Sequence, residues 1–341
     1  MATDTGTGET GTGRDRGVLA PATDWIENLS ESAYAYLLLT PAFALLTLVA
    51  FWPLAATFRM SLLADQTRGA QSIGGFVGIE NYVNVLTGDV RLARQFLDIE
   101  LVGGFPFIEL GTPFFQQALF VTMAFALLNV LFTTLIGFGQ ALVLDQDFRG
   151  RRWVRVAIII PWAVPIVIQG MIFFLFFQPT VGFGSGVMQS LGLFGSDPLA
   201  SSQDSFFIVL IADVWKTSAF MALLILAGLQ SVDRSLYDVA KVSGASPWQR
   251  FKMITFPLVL PALLVAMLFR TMEAMRIYGL IESTAGCTTV PSMTCMVIEG
   301  LFGGTRIYGT AAAIAFITAA IIGLLISVYI VKFRDSEGGL Y

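Results

Sequence analysis

Six long apolar runs separated by polar stretches organise this chain. They cover about Ala33–Phe58, Ala118–Leu144, Val154–Phe177, Phe206–Leu229, Pro257–Leu280 and Gly309–Val331. Each is long enough to cross a hydrocarbon core of roughly 30 Å as a helix. Prolines at 41, 53, 161, 165, 257 and 261 lie within or at the ends of the runs. Membrane helices accept such breaks where neighbouring groups satisfy the freed backbone. The pattern predicts an all-α, polytopic membrane protein with six transmembrane helices. Residues 1–30 are rich in Gly, Thr and Asp and contain no apolar run. They read as a disordered tail rather than a signal peptide, leaving 31–341 as the membrane domain.

Charge sets the direction of threading. Loop 145–153 carries Arg149, Arg151 and Arg152, and loop 230–256 carries Arg234, Lys241, Arg250 and Lys252. Arg14, Arg16, Lys332 and Arg334 make the tails basic near the membrane. On the other side, loop 178–205 has no Lys or Arg and loop 281–308 has only Arg306. The positive-inside rule therefore puts both termini and both basic loops in the cytosol. The long loop 59–117, with Arg59, Arg68, Arg91 and Arg94 against six acids, carries less weight. No repeat of span pattern links the two halves, which counts against secondary transporters built from inverted repeats.

Composition agrees. The chain is 55% hydrophobic and 13% charged. It contains no histidine, so the commonest general base and metal ligand is missing. With two cysteines and no Cys/His cluster, neither a zinc site nor a membrane enzyme is expected. No G-x-x-x-x-G-K-[ST] phosphate loop is present, so the chain is not itself an ATPase. Four lysines and a sequence pI near 4.9 are compatible with a halophilic source, and equally with compositional drift.

The polar insert 230–257 stands out. Leu236, Val239 and Ala240 share a face of a short helix, and Asp238 and Lys241 form an i,i+3 pair. Gly244 falls where a C-terminal cap with positive φ would sit. Ser246-Pro247-Trp248-Gln249 is a capping-box sequence that starts a second helix carrying Trp248, Phe251 and Ile254. Two hinged helices with apolar knobs between basic residues suit a groove in a partner. An interfacial helix lying on headgroups would show the same pattern.

The segment resembles the E-A-A-x3-G-x9-I-x-L-P signature of ABC importer permeases. Here it reads Asp238-Val239-Ala240, Gly244, Ile254 and Pro257. Asp238 stands for the usual Glu, Val239 for the first Ala, Ser243 for an acid often found before the Gly, and Phe256 for Leu. Phe76-Val-Gly-Ile-Glu-Asn-Tyr82 is similar to the family's F-x-G-L-x-N-Y. Arg149-Gly-Arg-Arg152 followed by Pro161-Trp162 and Pro165 is similar to its third-span entry. Asp213-Val-Trp-Lys-Thr-Ser-Ala-Phe220 with Leu226-Ala-Gly-Leu-Gln230 resembles sugar-importer permeases of the maltose-transporter kind.

The resemblance implies a type I importer permease in a prokaryotic cell membrane. It implies partners: a second, different permease, an ATPase dimer and an external sugar-binding protein. It implies no cofactor in this chain, with ATP and Mg on the ATPase subunits. It assigns ATPase coupling to Tyr237, Asp238, Ala240, Gly244, Ala245, Trp248 and Phe251 within loop 233–257. A permease for another solute, such as glycerol phosphate or a polyamine, is the alternative within the family; a channel or secondary transporter lies outside it.

Polar groups within spans mark candidate solute contacts. Gln178, Asp213, Trp215, Lys216 and Ser218 combine hydroxyl-directed polar groups with an aromatic face, and the resemblance favours Gln178 and Ser218. A purely structural set, with an Asp213–Lys216 pair and an Arg270, Glu273, Arg276 ladder, fits as well. Gly137, Gly139 and Gly170 suit close helix packing. Cys287 and Cys295, in one short outer loop, either pair as a disulfide or stay as two buried thiols.

Overall fold

The structure is a computed structural model that describes residues 30–66, 73–90, 92, 94–101, 108–304 and 306–338. Of the predicted N-terminal tail, residues 1–29 lie outside them, and Ser30 caps the first helix. Backbone contacts divide the chain into two units at Thr57/Phe58. Helix α1 (Glu31–Leu46), a π-helical turn (Thr47–Phe51) and α2 (Trp52–Ser61) make one candidate span, with the Ser30 hydroxyl accepting from the Ala33 amide at its start.

The second unit holds the rest. Two antiparallel hairpins, β1 (Leu63–Asp65) with β2 (Ile73–Phe76) and β3 (Ile99–Leu101) with β4 (Ile108–Leu110), flank the short helix α3 (Glu80–Thr87). The F-x-G-L-x-N-Y-like segment has a local structural job. Asn81 Nδ2 donates to the Ser61 and Leu63 carbonyls, both at 2.8 Å, and the Tyr82 and Ser61 hydroxyls are 2.7 Å apart.

The apolar helices follow: α4 (Ala118–Asp145), α5 (Arg151–Ala163), α6 (Ile166–Phe177), short α7 (Gly184–Ser190) and α8 (Ser202–Gln230). Then come α9 (Arg234–Val242), α10 (Pro247–Arg250), α11 (Phe256–Ala274), α12 (Gly279–Thr284), α13 (Met293–Phe302) and α14 (Tyr308–Gly338). At the start of α14, the Asp65 carboxylate accepts from the Gly309 and Thr310 amides at 2.6 and 3.1 Å, placing a negative charge on free N–H groups.

Helix α8 is the centre of this unit: 67% of its most apolar stretch is buried, against 11% for α14. Its most extensive packing is against α4, where Gly137 lies so close to α8 that an added Cβ would stand 2.6 Å from Met221 Cβ. Gly170 is likewise tight against Ser283. Gly139, by contrast, has nothing within 4 Å of an added Cβ in this chain. Two apolar clusters line the bundle. One is built around Phe125, Phe206, Met275 and Met293, the other around Leu144, Met221, Ile225 and Val259 at the end that carries α9.

Two predicted spans differ in form. The run Val154–Phe177 is not one straight helix: α5 and α6 are bent by 94° at the break between them, so among the described residues five apolar helices are long enough to span, and six only if this bent pair counts as one. Val164 precedes Pro165 and is extended, as the proline ring requires of its neighbour, and the helix restarts at Ile166. The run Pro257–Leu280 starts earlier and ends sooner. Helix α10 continues through a π turn (Phe251–Thr255) into α11, and α11 stops at Ala274. The second helix of the polar insert is therefore the first turn of a span, not a separate piece. Both π turns end two residues before a proline, Pro53 or Pro257. A proline supplies no N–H and crowds the carbonyl four residues back; the wider turn, closed by the Trp52-to-Thr47 and Phe256-to-Phe251 bonds, lets the helix run on.

Candidate functional site

Two features could serve transport: the insert between α8 and α11, and a cavity about 21–26 Å along the spans from it at 1.5 Å per helical residue.

The insert is a fixed ledge. Asp233 caps α9 by accepting from the Ser235 amide at 2.9 Å, which holds its carboxyl below the ordinary value. That cap is present above the ordinary carboxylate range and is lost as pH falls through the lowered value. At the other end Gly244 adopts φ +78°. The Gly244 amide bonds Lys241 O at 3.0 Å and the Ala245 amide bonds Ala240 O at 2.9 Å, a complete Schellman closure. The capping box forms in both directions: Gln249 N to Ser246 Oγ at 3.3 Å and Ser246 N to Gln249 Oε1 at 2.7 Å.

The two faces of the ledge differ. Outward lie Leu236, Val239, Val242, Trp248 and Met253, with Val242 91% exposed, beside the Asp238–Lys241 pair at 3.0 Å. Inward lie two residues expected among the partner contacts. The Tyr237 hydroxyl sits 3.0 Å from Thr255 Oγ1, and Phe251 packs edge-on against Phe138 of α4 while stacking on Trp248. Arg234 Nη2 donates to Asp145 Oδ1 at 2.6 Å, and that bond raises the pKa of Arg234.

The cavity, about 460 Å³, lies between α5/α6, α8 and the segment from α11 to α12. Trp162 and Tyr278 give it aromatic walls. Asp213, Lys216, Thr217, Arg270, Glu273 and Arg276 give it polar ones. Three of these wall residues are tied to one another and to the buried Asn129 of α4. Asn129 Nδ2 donates to Asp213 at 2.7 Å, Arg270 Nε donates to Asn129 Oδ1 at 2.7 Å, and Arg270 also pairs with Asp213 and, at 2.9 Å, with Glu273. Paired charges are the form in which ions persist in a bundle interior.

Lys216 does not pair with Asp213. Its Nζ donates to the Val164 carbonyl at 2.8 Å, at the break of the bent span, where a helix C-terminus favours a cation. Gln169 Nε2 donates to Ala212 O at 2.6 Å, tying the other side of the break to α8.

Of the expected solute contacts, only Asp213 and Lys216 line this cavity. Trp215 packs against Phe173. Ser218 is buried 3.4 Å from Gln140 Nε2. Gln178 ends α6, its carbonyl accepting from Val181 and Gly182. Trp162, part of the span-entry motif in the sequence, stands on the cavity wall, beside the 94° bend between α5 and α6. Cys287 and Cys295 are joined by a disulfide.

The profile of the family of binding-protein-dependent transport system inner membrane components matches residues 133–335. The trehalose/maltose transport system permease protein MalF of Thermococcus litoralis is 32% identical, over 88% of this chain and 93% of its own length. The trehalose transport system permease protein SugA of Mycobacterium tuberculosis is 29% identical, over 91% and 92%. A chain of a bacterial ABC transporter involved in the import of the acidic polysaccharide alginate superposes with a TM-score of 0.65, at 19% identity, over 92% of this chain and 96% of that one.

Proposed function

The chain belongs to the family of binding-protein-dependent transport system inner membrane components, and from that premise we propose that it forms half of the pathway of an ATP-driven sugar importer. As a family member it is a multi-pass inner-membrane permease subunit, not a catalyst. The partners in this reading are a second permease, a pair of ATPase subunits that hold ATP and Mg, and an external sugar-binding protein. Both termini and the ledge face the cytosol, in accord with the basic loops. Residues 31–341 form the membrane domain.

The ledge carries this reading. A Schellman-closed, capping-boxed pair of helices with exposed Val239, Val242 and Trp248 is a rigid apolar surface suited to a groove on the ATPase. Asp238, Ala240, Gly244, Ala245 and Trp248 form or shape that surface, and Tyr237 and Phe251 brace it from behind. ATP-driven closure of the ATPase pair would shift the permease between inward- and outward-facing states by differential binding. Trehalose and maltose, the solutes named for two relatives, fit a cavity with two aromatic walls and several hydrogen-bonding groups.

The test is uptake of labelled trehalose or maltose into vesicles holding the whole complex, with ATP supplied on the ATPase side. Uptake should need ATP and every partner. Trp162→Ala should reduce it more than Trp215→Ala. Uptake by this chain alone, without ATP, would make it a channel or secondary transporter instead.

A further inference from the structure

The ledge is tied to the spans by two polar side-chain contacts. Arg234 is the first residue of α9 and Asp145 the last of α4, 89 positions apart in sequence. Tyr237, one helical turn after Arg234, reaches Thr255, the last residue of the π turn that leads into α11. Phe251 against Phe138 lies alongside.

The charges of the first contact are oddly placed. Asp145 sits at the C-terminus of α4, where unpaired carbonyls repel an anion, and its side chain is only 10% exposed. Arg234 sits at the N-terminus of α9, where free N–H groups repel a cation. Each charge opposes its own helix dipole, so neither site favours its residue without the other. Two neutral residues would relieve both conflicts and lose only the link.

The spans reached by these contacts are α4 and α11, and they supply Asn129 and Arg270 to the network around Asp213 at the cavity. Asn129 is 16 residues from Asp145 and Arg270 is 15 from Thr255, about 22–24 Å along each helix. We propose that the Asp145–Arg234 ion pair, seconded by Tyr237–Thr255, is the joint through which movement of the ledge reaches the walls of the solute cavity. Asp145 and Arg234 are thus positioning residues for transport, and their role rests on the reading that the ledge receives the ATPase.

The experiment uses the complete complex in vesicles and reads two quantities: ATPase retained on purification, and solute moved per ATP hydrolysed. Asp145→Asn and Arg234→Gln should each keep the ATPase while solute per ATP falls at least about fivefold, the low end of coupling between linked sites. The exchanged chain, Asp145→Arg with Arg234→Asp, restores the pair with each charge now favoured by its own helix. It should recover the ratio of the unmodified protein. Single variants that fail to assemble, with assembly and ratio recovered in the exchanged chain, support the joint equally. An unchanged ratio in the single variants, or an exchanged chain no better than they are, overturns it. Failure of the ledge reading looks different: a Gly244→Val chain would then retain the ATPase and transport normally.

Discussion

Gly244 stands at φ +78° with nothing within 4 Å of an added Cβ, so a side chain there acts through the backbone alone. For a β-branched residue the left-handed region costs about 1–2 kcal/mol. Gly244→Val should insert normally but lose ATPase on purification, because the turn that aims Trp248 would shift. Gly244→Asn, which tolerates positive φ, should retain most of it. Arg270 is a different case. It is 3% exposed and holds Asn129, Asp213 and Glu273 at once. Arg270→Met would leave Asp213 buried without its counter-ion, at about 3–5 kcal/mol, the range for breaking a buried pair. Thermal unfolding in detergent should show that loss, with a smaller one for Asp213→Asn.

At the scale of elements, the contact of α4 with α8 depends on one missing side chain. A Cβ at Gly137 would meet Met221 Cβ at 2.6 Å and the Ser218 carbonyl at 3.0 Å. Gly137→Leu should force the helices apart and lower stability by about 1–3 kcal/mol, as overpacking does. Gly139→Ala, facing open space, is the control and should leave the melting temperature unchanged. The bent span is fixed from both sides by α8, through Lys216 to Val164 and Gln169 to Ala212. Lys216 therefore has a structural bond as well as a place on the cavity wall.

For the whole molecule, the Cys287–Cys295 disulfide closes the segment between α12 and α13. Arg94 Nε donates to the Thr288 carbonyl at 2.9 Å, and Ser292 Oγ donates to the Ile277 carbonyl at 2.8 Å, anchoring that segment at both ends. Protein denatured without reduction should take up no thiol label, and reduction should release two sites. Two reactive thiols before reduction would contradict the pairing.

The six apolar runs, the capped hinge at Gly244 and the Asp238–Lys241 pair were legible because each depends on residues close in sequence: period, cap chemistry and i,i+3 spacing act locally. The resemblance to importer permeases rested on the same short segments. Partners drawn from distant positions were not legible. Lys216 was equally placed, by spacing, for Asp213; the bend at Pro165 instead left a free carbonyl within its reach. Asn129, Asp213 and Arg270 come from three spans, and no local pattern joins them. Phe251 shares its short helix with Trp248, but α10 runs on into α11, and that places its ring against Phe138; Tyr237 meets Thr255, 18 positions away, which no local spacing gives. Trp162 rather than Trp215 faces the cavity for a related reason: a helical face is readable from sequence, but what it faces is decided by how the helices pack.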